Sequence, residues 1–388
     1  MKITDVHAWV VVPDLGPDST KFPDWQWTFV TIETDEGLSG WGEASSTPRN
    51  GSLLTGFGVQ QAREALIGED PADVERLWQK LFRRYTYLGS RGFASTVISG
   101  IDIALWDLKG KSLGRPVYDL LGGKMRPDVR LYANGWFGGC SNPAQYAEAA
   151  KGVIASGHDA LKLDPFLEMQ PFHTMYQDGQ ISAEGENQGS DIVSAIREAV
   201  GPDVEILIDA HGNFNVPVSV RLANRLYDES KIGWFEEPVP PEGLQALKSA
   251  RDQVRAPICV GERLFTRWEF VPVLEGGLAD YIMPDVVWTG GISELKKIAT
   301  MAEAYYVPIS PHNAQGPGQI LAGAHVSLSV PNFYRLEHAV EFIPGYNAFL
   351  QEPLQFTGNR LVLNDRPGLG IDLDMDRVKK AVHPQWVF

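Results

Sequence analysis

Hydrophobic and polar residues follow two different patterns along the 388-residue chain. Near the start, two β-rich runs fall within the first 34 residues, and the turn Asp35–Gly37 separates the second from the stretch LSGWGEA, which predicts a hairpin. The segments Asp70–Arg84 and Ser95–Leu113 then carry apolar residues at helical spacing. We therefore expect residues 1–125 to form an α+β domain.

From about Val129 the pattern changes to short apolar runs that alternate with amphipathic segments. The runs VRLYANGW and DALKLDP are the first two predicted strands, and the later runs end at intervals of 23 to 27 residues. One strand, one helix and two short loops occupy about that length. The repeat predicts an α/β fold, a modified TIM (β/α) barrel over residues 126–352. Residues 353–388 become β-like again, and we expect them to return and complete the first domain as a cap.

Polar or ionisable residues stand at the carboxyl ends of successive predicted strands, and those ends converge on one face of a barrel. Three carboxylates brought together repel one another unless a cation lies among them, and oxygen ligands favour Mg2+. A single such acid would more often cap a helix, but three in register favour a metal site with one ion per subunit. The predicted metal ligands are Asp209, Glu236 and Glu262, and the other strand-end residues are Asp285, His312 and Glu337.

Two histidines are candidates for acid–base chemistry. His312 and Asp285 end neighbouring predicted strands, so the carboxylate can accept the imidazole N–H and raise the basicity of the other nitrogen. A purely structural hydrogen bond is the alternative for this pair. His211 follows Asp209 by two residues and would lie beside the metal, as a catalytic group, a fourth ligand or an ordinary loop residue.

Three further charged residues belong to the predicted site. Lys162, two residues before Asp164 in LKLDP, would neutralise a carboxylate of the site or of the substrate, although it could also be an ordinary strand-end lysine. Glu337 could hydrogen-bond a substrate oxygen. Arg263, next to a predicted metal ligand, could do the same or pair with an acid.

The composition limits the possible partners. Apolar residues make up 44% of the chain and charged residues 21%, and the formal net charge is −15, which argues against nucleic acid and anionic membranes. The two cysteines, Cys140 and Cys259, are far apart and indicate a reducing compartment. The start lacks the long apolar core of a signal peptide, and no apolar stretch reaches the length of a membrane span. We expect a cytoplasmic protein that acts on a small molecule.

Six motifs are spread along the chain: SGIDIALWDLKGKSLGRPVYDLLGG, IDAHGNF, WFEEP, GERLF, MPDVVWTGGISE and SPHNAQGP. In order and spacing they resemble the motifs of the enolase superfamily over nearly the whole chain. The resemblance implies an α+β capping domain over a modified TIM barrel. It also implies removal of the proton α to a carboxylate, with a divalent metal holding the resulting enediolate.

Within that superfamily, the chain is similar to the mandelate racemase-like group. The stretch Asp209–Gly212 resembles the pattern of D-galactonate dehydratase and related sugar-acid dehydratases, in which this histidine protonates the leaving hydroxide. The resemblance implies dehydration of an aldonate such as galactonate, gluconate or mannonate to a 2-keto-3-deoxy acid. His312 would take the C2 proton, and Lys162 and Glu337 would stabilise the enediolate. By analogy, the protein would be a homo-oligomer, either a dimer or an octamer.

Other functions remain open at this point. A racemase or epimerase would need a base on each face of the α-carbon, but Asp164 stands where related enzymes carry a second lysine, so His211 or Lys162 would have to serve as the second base. A cycloisomerase would use the same His–Asp pair. A non-catalytic protein that binds a metal or a sugar acid would have no need of a general base.

Specificity for the substrate should come from loops at the mouth of the barrel. We expect these to be residues 22–27 and 47–53 of the cap and the long loop 165–187. Four side chains are candidate contributors, each of which could equally be packing: Trp25, Arg49, Tyr85 and Trp136.

Overall fold

The computed structural model of the chain describes residues 1–15, 25–46, 51–169 and 178–387. Its N-terminal part is a three-stranded antiparallel sheet covered by helices, which confirms the predicted hairpin and the two predicted helices. Gly37 forms the hairpin turn with a φ of +77°, a conformation that glycine adopts without strain. The elements are β1 Ile3–Val11, β2 Trp27–Thr34, β3 Ser39–Glu43, α1 Gly51–Leu66, α2 Val74–Arg84, α3 Phe93–Leu113 and α4 Val117–Leu120.

Helix α1 differs from the prediction, which placed a loop at residues 47–53. The helix already begins at Gly51. Gly56 and Gly58 lower the helix propensity of this segment, so its sequence pattern is weak. The same glycines allow close packing, since a Cβ at Gly56 would lie 2.6 Å from Val10 Cγ2. Tertiary packing therefore stabilises a helix that local propensity does not indicate.

The middle of the chain forms the predicted parallel barrel. Its strands are β4 Val129–Asn134, β5 Ala160–Leu163, β6 Glu205–Asp209, β7 Trp234–Glu236, β8 Ile258–Val260, β9 Tyr281–Ile282 and β10 Leu336–Ala339. Strands β4 to β9 pair in order, and β10 pairs with β4. The surrounding helices are α5 Pro143–Ala155, α6 Ala183–Val200, α7 Val216–Ser230, α8 Leu244–Arg251, α9 Thr266–Glu275, α10 Gly291–Ala304 and α11 Pro317–Ser329. Across the described ranges, the helices are too short or too polar to cross a membrane.

The seventh barrel position is a single residue rather than the strand that the sequence predicts. Ile309 bridges Ile282 on one side and Phe333 on the other, which completes the ring between β9 and β10. Pro308 and Pro311 flank this bridge. Proline has no N–H to donate to a neighbouring strand, so Pro308 and Pro311 accept bonds from Ile282 and Glu337 but each removes a donor that a longer ladder would need.

The C-terminal segment divides its contacts between the two parts of the fold. Its elements are α12 Ile343–Phe349, β11 Gln355–Thr357, β12 Arg360–Val362 and α13 Met375–Lys380. The β11–β12 hairpin extends the barrel sheet, because β12 pairs antiparallel with β4. Beyond α13 the chain joins the cap: His383 donates its N–H to Val10 O at 2.8 Å, and Trp386 Nε1 donates to Ala8 O at 3.0 Å.

A layer of buried side chains closes the barrel interior below the strand ends. The rings of Tyr132 and Trp234 meet edge to face with centroids 5.5 Å apart. The polar residues at the carboxyl ends of the strands lie above this layer. The layer consists of Tyr132, Ala160, Leu207, Trp234, Cys259 and Met283.

Candidate active site

Three buried acidic side chains meet at the carboxyl ends of β6, β7 and β8. Asp209 and Glu236 are the last residues of β6 and β7, and Glu262 lies two residues beyond β8. Each offers one carboxylate oxygen, and these three oxygens lie within 4.8 Å of one another. Like charges about 4 Å apart repel by about 4 kcal/mol in a medium of intermediate polarity. The cluster could hold a metal ion, and its oxygen donors suit a hard divalent cation.

The ammonium group of Lys162 lies between two of these carboxylates and the carboxylate of Glu337. Its Nζ is 3.1 Å from Asp209 Oδ2, 2.8 Å from Glu236 Oε1 and 3.1 Å from Glu337 Oε1. Burial disfavours the charged lysine, but these carboxylates outweigh burial and raise the pKa of Lys162 well above its ordinary value. One ammonium cannot balance these three carboxylates and Glu262 together, so the cluster retains negative charge that a divalent cation would neutralise.

Glu337, on β10, is held by hydrogen bonds to both of its oxygens. Oε1 accepts from Asn134 Nδ2 at 2.6 Å, and Oε2 accepts from the N–H of Asn313 at 3.0 Å. Burial favours the protonated acid, but Lys162 and His312 outweigh it and lower the pKa of Glu337. An ionised carboxylate accepts hydrogen bonds and cannot donate them.

His312 and Asp285 form the predicted hydrogen-bonded pair. Nδ1 of His312 lies 2.6 Å from Asp285 Oδ2, which also accepts from Gln319 Nε2 at 2.6 Å. The other oxygen of Asp285 accepts the N–H groups of Val287 and Trp288 at 2.7 and 3.1 Å. These bonds fix the carboxylate. With Nδ1–H donated to it, Nε2 carries the lone pair of the neutral imidazole.

The Nε2 atom of His312 faces the carboxylate cluster. It lies 3.4 Å from Glu262 Oε2 and 3.8 Å from Glu337 Oε2. Burial disfavours the imidazolium, but the charges of Glu337, Glu262 and Asp285 outweigh burial and raise the pKa of His312 to about 9. The proton affinity of Nε2 therefore depends on Glu337 and on Glu262, and Glu262 belongs to the candidate metal site.

His211 reaches the cluster through a turn and not as part of β6. The prediction relied on strand alternation, but the backbone of His211 is left-handed, with a φ of +47°. Its N–H donates to Asp209 Oδ1 at 2.9 Å, and the next N–H, of Gly212, donates to Glu237 O at 2.8 Å. The side chain still reaches the predicted place, with Nδ1 3.3 Å from Asp209 Oδ1.

The buried carboxylate of Asp164 is the partner of His211, a contact that the sequence did not predict. Oδ2 of Asp164 lies 3.1 Å from His211 Nδ1, and Oδ1 accepts the N–H of Phe166 at 3.0 Å. Burial disfavours the imidazolium, but Asp209 and Asp164 outweigh burial and raise the pKa of His211 to about 9. The available signal was the alternation in LKLDP, which places Asp164 on the same face as Lys162.

The two histidine–aspartate pairs lie on opposite sides of the barrel. His211 follows β6, the third strand of the ring, and His312 follows Ile309, at the seventh position. Third and seventh positions face each other across a ring of eight. The carboxylate cluster and Lys162 lie between them, so a molecule bound there would meet one imidazole on each side.

A cavity of about 1020 Å³ opens above this cluster, between the strand ends and the cap. A pocket of this size accommodates a small organic acid. The barrel contributes the charged residues at its base, and the cap contributes part of the wall. The lining includes Lys162, Asp209, His211, Glu262 and His312 from the barrel, with Trp25, Ser46, Phe93 and Thr96 from the cap.

The candidate specificity residues have different positions. Trp25 lines the cavity, whereas Tyr85 is buried in the cap core and its hydroxyl donates to Gly58 O at 3.4 Å, so Tyr85 is a packing residue, the second of the two alternatives that the sequence left open. Trp136 Nε1 donates to Lys162 O at 2.9 Å and supports the end of β5.

Other parts of these predictions lie outside the described residues. They are Arg49, residues 22–24 of the first loop, residues 47–50 of the second and residues 170–177 of the loop 165–187. The end of that last loop is helical, since α6 begins at Ala183. Arg263 lines the cavity and is paired with Glu237.

Comparisons with known proteins agree with this architecture. The family described as enolase C-terminal domain-like matches residues 145–377, and the N-terminal domain of the mandelate racemase / muconate lactonizing enzyme family matches residues 20–122. D-gluconate dehydratase of Thermoproteus tenax is 38% identical over 344 residues, which cover 88% of this chain and 67% of that protein. D-galactonate dehydratase of Klebsiella pneumoniae is 35% identical over 398 residues, which cover 100% of this chain and 96% of that protein.

Solved structures share the whole fold. A member of the enolase superfamily from Salmonella Typhimurium superposes with a TM-score of 0.89 at 32% identity and covers 98% of both chains. A mandelate racemase/muconate lactonizing enzyme-like protein from Rubrobacter xylanophilus superposes with a TM-score of 0.89 at 35% identity, covering 100% of this chain and 99% of that one. The chain belongs to the enolase superfamily, in its mandelate racemase-like group.

Proposed function

We propose that the protein is a Mg2+-dependent dehydratase that converts an aldonate to a 2-keto-3-deoxy acid. The observation that carries the proposal is the pair of histidine–aspartate dyads on opposite sides of the buried carboxylate cluster. A dehydratase needs a base for the C2 proton and an acid for the C3 hydroxyl. The similar D-gluconate, D-galactonate and D-xylonate dehydratases support a sugar acid as substrate.

In this proposal, Asp209, Glu236 and Glu262 hold Mg2+ and His312 is the general base. Mg2+, when bound, would chelate the substrate carboxylate, stabilise the negative charge that develops there and oppose the field of Glu262 that raises the pKa of His312. Asp285 accepts the Nδ1–H of His312, so Nε2 is the atom that takes the C2 proton. The carboxylate also stabilises the imidazolium that results.

Lys162 supplies fixed positive charge beside the reacting carboxylate. Its ammonium needs no reorganisation as negative charge develops, since burial and its ion pairs hold it in place. Glu337 acts through Lys162, because its fully buried carboxylate pairs with the Lys162 ammonium and does not line the cavity. This role differs from the direct bond to a substrate oxygen that the sequence suggested.

His211 completes the elimination as general acid. It gives its proton to the C3 hydroxyl, the C3–O bond breaks, and the electron pair left at C2 forms the C2–C3 double bond as water departs. The enol then tautomerises to the 2-keto-3-deoxy acid. Asp164 and Asp209 favour the protonated imidazole that this step requires.

Racemisation or epimerisation would require His211 to act as a second base. Its two acidic neighbours favour the imidazolium, the form that both a general acid at C3 and the proton donor of an epimerase need, so it is the similar dehydratases that favour dehydration. Incubation with Mg2+ and a series of aldonates and aldarates in D2O separates the possibilities. Keto acid detected with semicarbazide supports dehydration. Deuterium at C2 without keto acid would indicate an epimerase or a site that only exchanges the proton. The absence of both signals would indicate a binding protein or a substrate outside the series.

A further inference from the structure

Glu43, the last residue of β3, is fully buried against the first turn of barrel helix α11. Oε1 accepts the N–H of Gly316 at 2.7 Å, and Oε2 accepts those of Gly318 and Gln319 at 2.8 and 3.1 Å. A Cβ on Gly316 would lie 2.7 Å from Oε1, so the carboxylate fills the space that a side chain there would need. A carboxylate at a helix N-terminus is stabilised by the helix dipole. A residue of the cap thus fixes the start of a barrel helix.

The side chain of Gln319 connects this helix to the His–Asp pair. Its Nε2 donates to Asp285 Oδ2 at 2.6 Å, the same oxygen that lies 2.6 Å from His312 Nδ1. Its Oε1 accepts the N–H of Gln315 at 2.6 Å, which fixes the direction of the amide. Since Glu43 holds the backbone of Gln319, a shift at Glu43 would be transmitted to Asp285 through one side chain.

A second route leads from Glu43 to the same pair. Ser45 Oγ donates to Glu43 Oε1 at 2.6 Å, and Ser45 O accepts from Trp288 Nε1 at 3.1 Å. The rings of Trp288 and His312 have centroids 5.1 Å apart, and Trp288 N–H donates to Asp285 Oδ1. Glu43 therefore contacts a residue that bonds to Oδ2 of Asp285, and Ser45 contacts one that bonds to Oδ1.

We propose that Glu43 is a positioning residue for the general base, through which the cap sets the orientation of Asp285 and His312. This inference rests on the proposed function only in taking His312 as the base. Glu43→Gln would remove one accepting oxygen and place an amide NH2 against backbone N–H groups that cannot accept a hydrogen bond. The expected result is a rotated Gln319 amide and a looser His312–Asp285 hydrogen bond.

Asp102 offers a matched control. It is also a buried carboxylate of the cap at the first turn of a barrel helix, and it accepts from Ser293 Oγ at 2.6 Å and Ser293 N at 3.0 Å. Burial raises the pKa of both Glu43 and Asp102 to about 7. Its hydrogen bonds lead into α10 and not to Gln319. Asp102→Asn should therefore weaken the cap–barrel contact without disturbing the base.

The test compares Glu43→Gln, Asp102→Asn and Gln319→Met, the last of which removes the side-chain amide that bonds both to Asp285 and to the N–H of Gln315. For each full-length variant, kcat, KM, the urea midpoint and the low-field proton resonance of His312 Nδ1–H are measured. We expect Glu43→Gln and Gln319→Met to lower kcat about 10- to 100-fold, with little change in KM, and to shift the resonance. Asp102→Asn should lower the urea midpoint and leave kcat and the resonance unchanged.

Equal effects of Glu43→Gln and Asp102→Asn on kcat and on the resonance would overturn the proposal, as would an unchanged resonance in Glu43→Gln. If Glu43→Gln fails to fold, Glu43→Asp is measured in its place, since it keeps the charge and draws the carboxylate back from the N–H groups of α11; an unchanged resonance in that variant would likewise overturn the proposal. The resonance is measured without substrate, so it tests the positioning role even if the wild type dehydrates no sugar acid. Such a failure would count against the proposed function alone.

Discussion

Asp164 Oδ2 lies 3.1 Å from His211 Nδ1, on the opposite side of the barrel from the 2.6 Å contact between Asp285 and His312. The site thus contains the same histidine–carboxylate arrangement twice. In each pair, the aspartate fixes one ring nitrogen and favours the imidazolium. The two pairs differ in surroundings, since Nδ1 of His211 also lies 3.3 Å from Asp209. We infer different roles for them, and the predictions below separate those roles.

Asp164→Asn should impair the acid and not the base. The amide keeps the shape of the side chain but no longer stabilises the His211 imidazolium, so keto-acid formation should fall about 10- to 100-fold. Exchange of the C2 proton should persist. Asp159→Asn is the matched control, since Asp159 lies just before the other end of β5 and pairs with Arg335. That variant should lose stability and keep full turnover; if both variants lose activity equally, Asp164 has only a structural role.

His312→Asn should abolish both dehydration and C2 exchange, because no other group replaces Nε2 as the base. Asp285→Asn should lower both by about 10²- to 10⁴-fold, since the imidazole loses its orienting acceptor. Proton NMR in D2O measures exchange, and semicarbazide measures keto acid. Normal exchange in His312→Asn would move the base elsewhere, with Lys162 the first candidate.

Removal of metal should abolish turnover and Mg2+ should restore it. The three carboxylates repel one another without a cation, so binding should also raise the thermal midpoint. Glu236→Gln removes one charged ligand and should lower Mg2+ affinity and turnover while the fold survives. Calorimetric titration with Mg2+ measures the affinity without substrate. Full activity of metal-free enzyme would contradict the assignment of Asp209, Glu236 and Glu262.

Acid should destabilise the fold through His338. This residue is buried, its ring stacks on Phe356 with centroids 4.4 Å apart, and neither ring nitrogen has a hydrogen-bond partner among the described residues. Burial lowers the pKa of His338 to about 3, against about 6.5 in an unfolded chain. Below about pH 6.5 the unfolded chain binds a proton that the folded chain does not, so stability present at neutral pH is lost as pH falls.

Because of His338, the free energy of unfolding should fall by up to about 1.4 kcal/mol for each pH unit of acidification. His338→Phe keeps the stacked ring and removes the titration. Urea midpoints of this variant and the wild type at about pH 7 and about pH 5 make the comparison. The variant should lose less stability between the two values, and parallel losses would show that His338 does not contribute.

The positions of the three carboxylates that we propose as metal ligands follow from the sequence because each lies at or just beyond the end of a short buried strand. In a parallel barrel, that single regularity places Asp209, Glu236 and Glu262 on one face, and the structure brings them together. The same rule places Asp285 beside His312. These features depend on strand order and direction, which the apolar runs indicate.

Other features depend on tertiary contacts that no local pattern carries. Helix α1 forms because Gly56 and Gly58 allow close packing. The seventh barrel position consists of the single bridging residue Ile309 because prolines flank it. Glu43 is 273 residues away from Gly316 in sequence, so its contact with α11 is invisible until the cap is docked. The alternation in LKLDP places Asp164 on the face of the site, but its contact with His211 depends on the turn at His211, which no local pattern indicates.

The most direct test of the account is the D2O incubation of His211→Asn with the best sugar-acid substrate. If His312 is the base and His211 the acid, keto-acid formation should fall by about 10²- to 10⁴-fold. Proton NMR should then show deuterium at C2 of the recovered substrate, because proton abstraction continues without elimination. Unimpaired keto-acid formation in this variant would contradict the account.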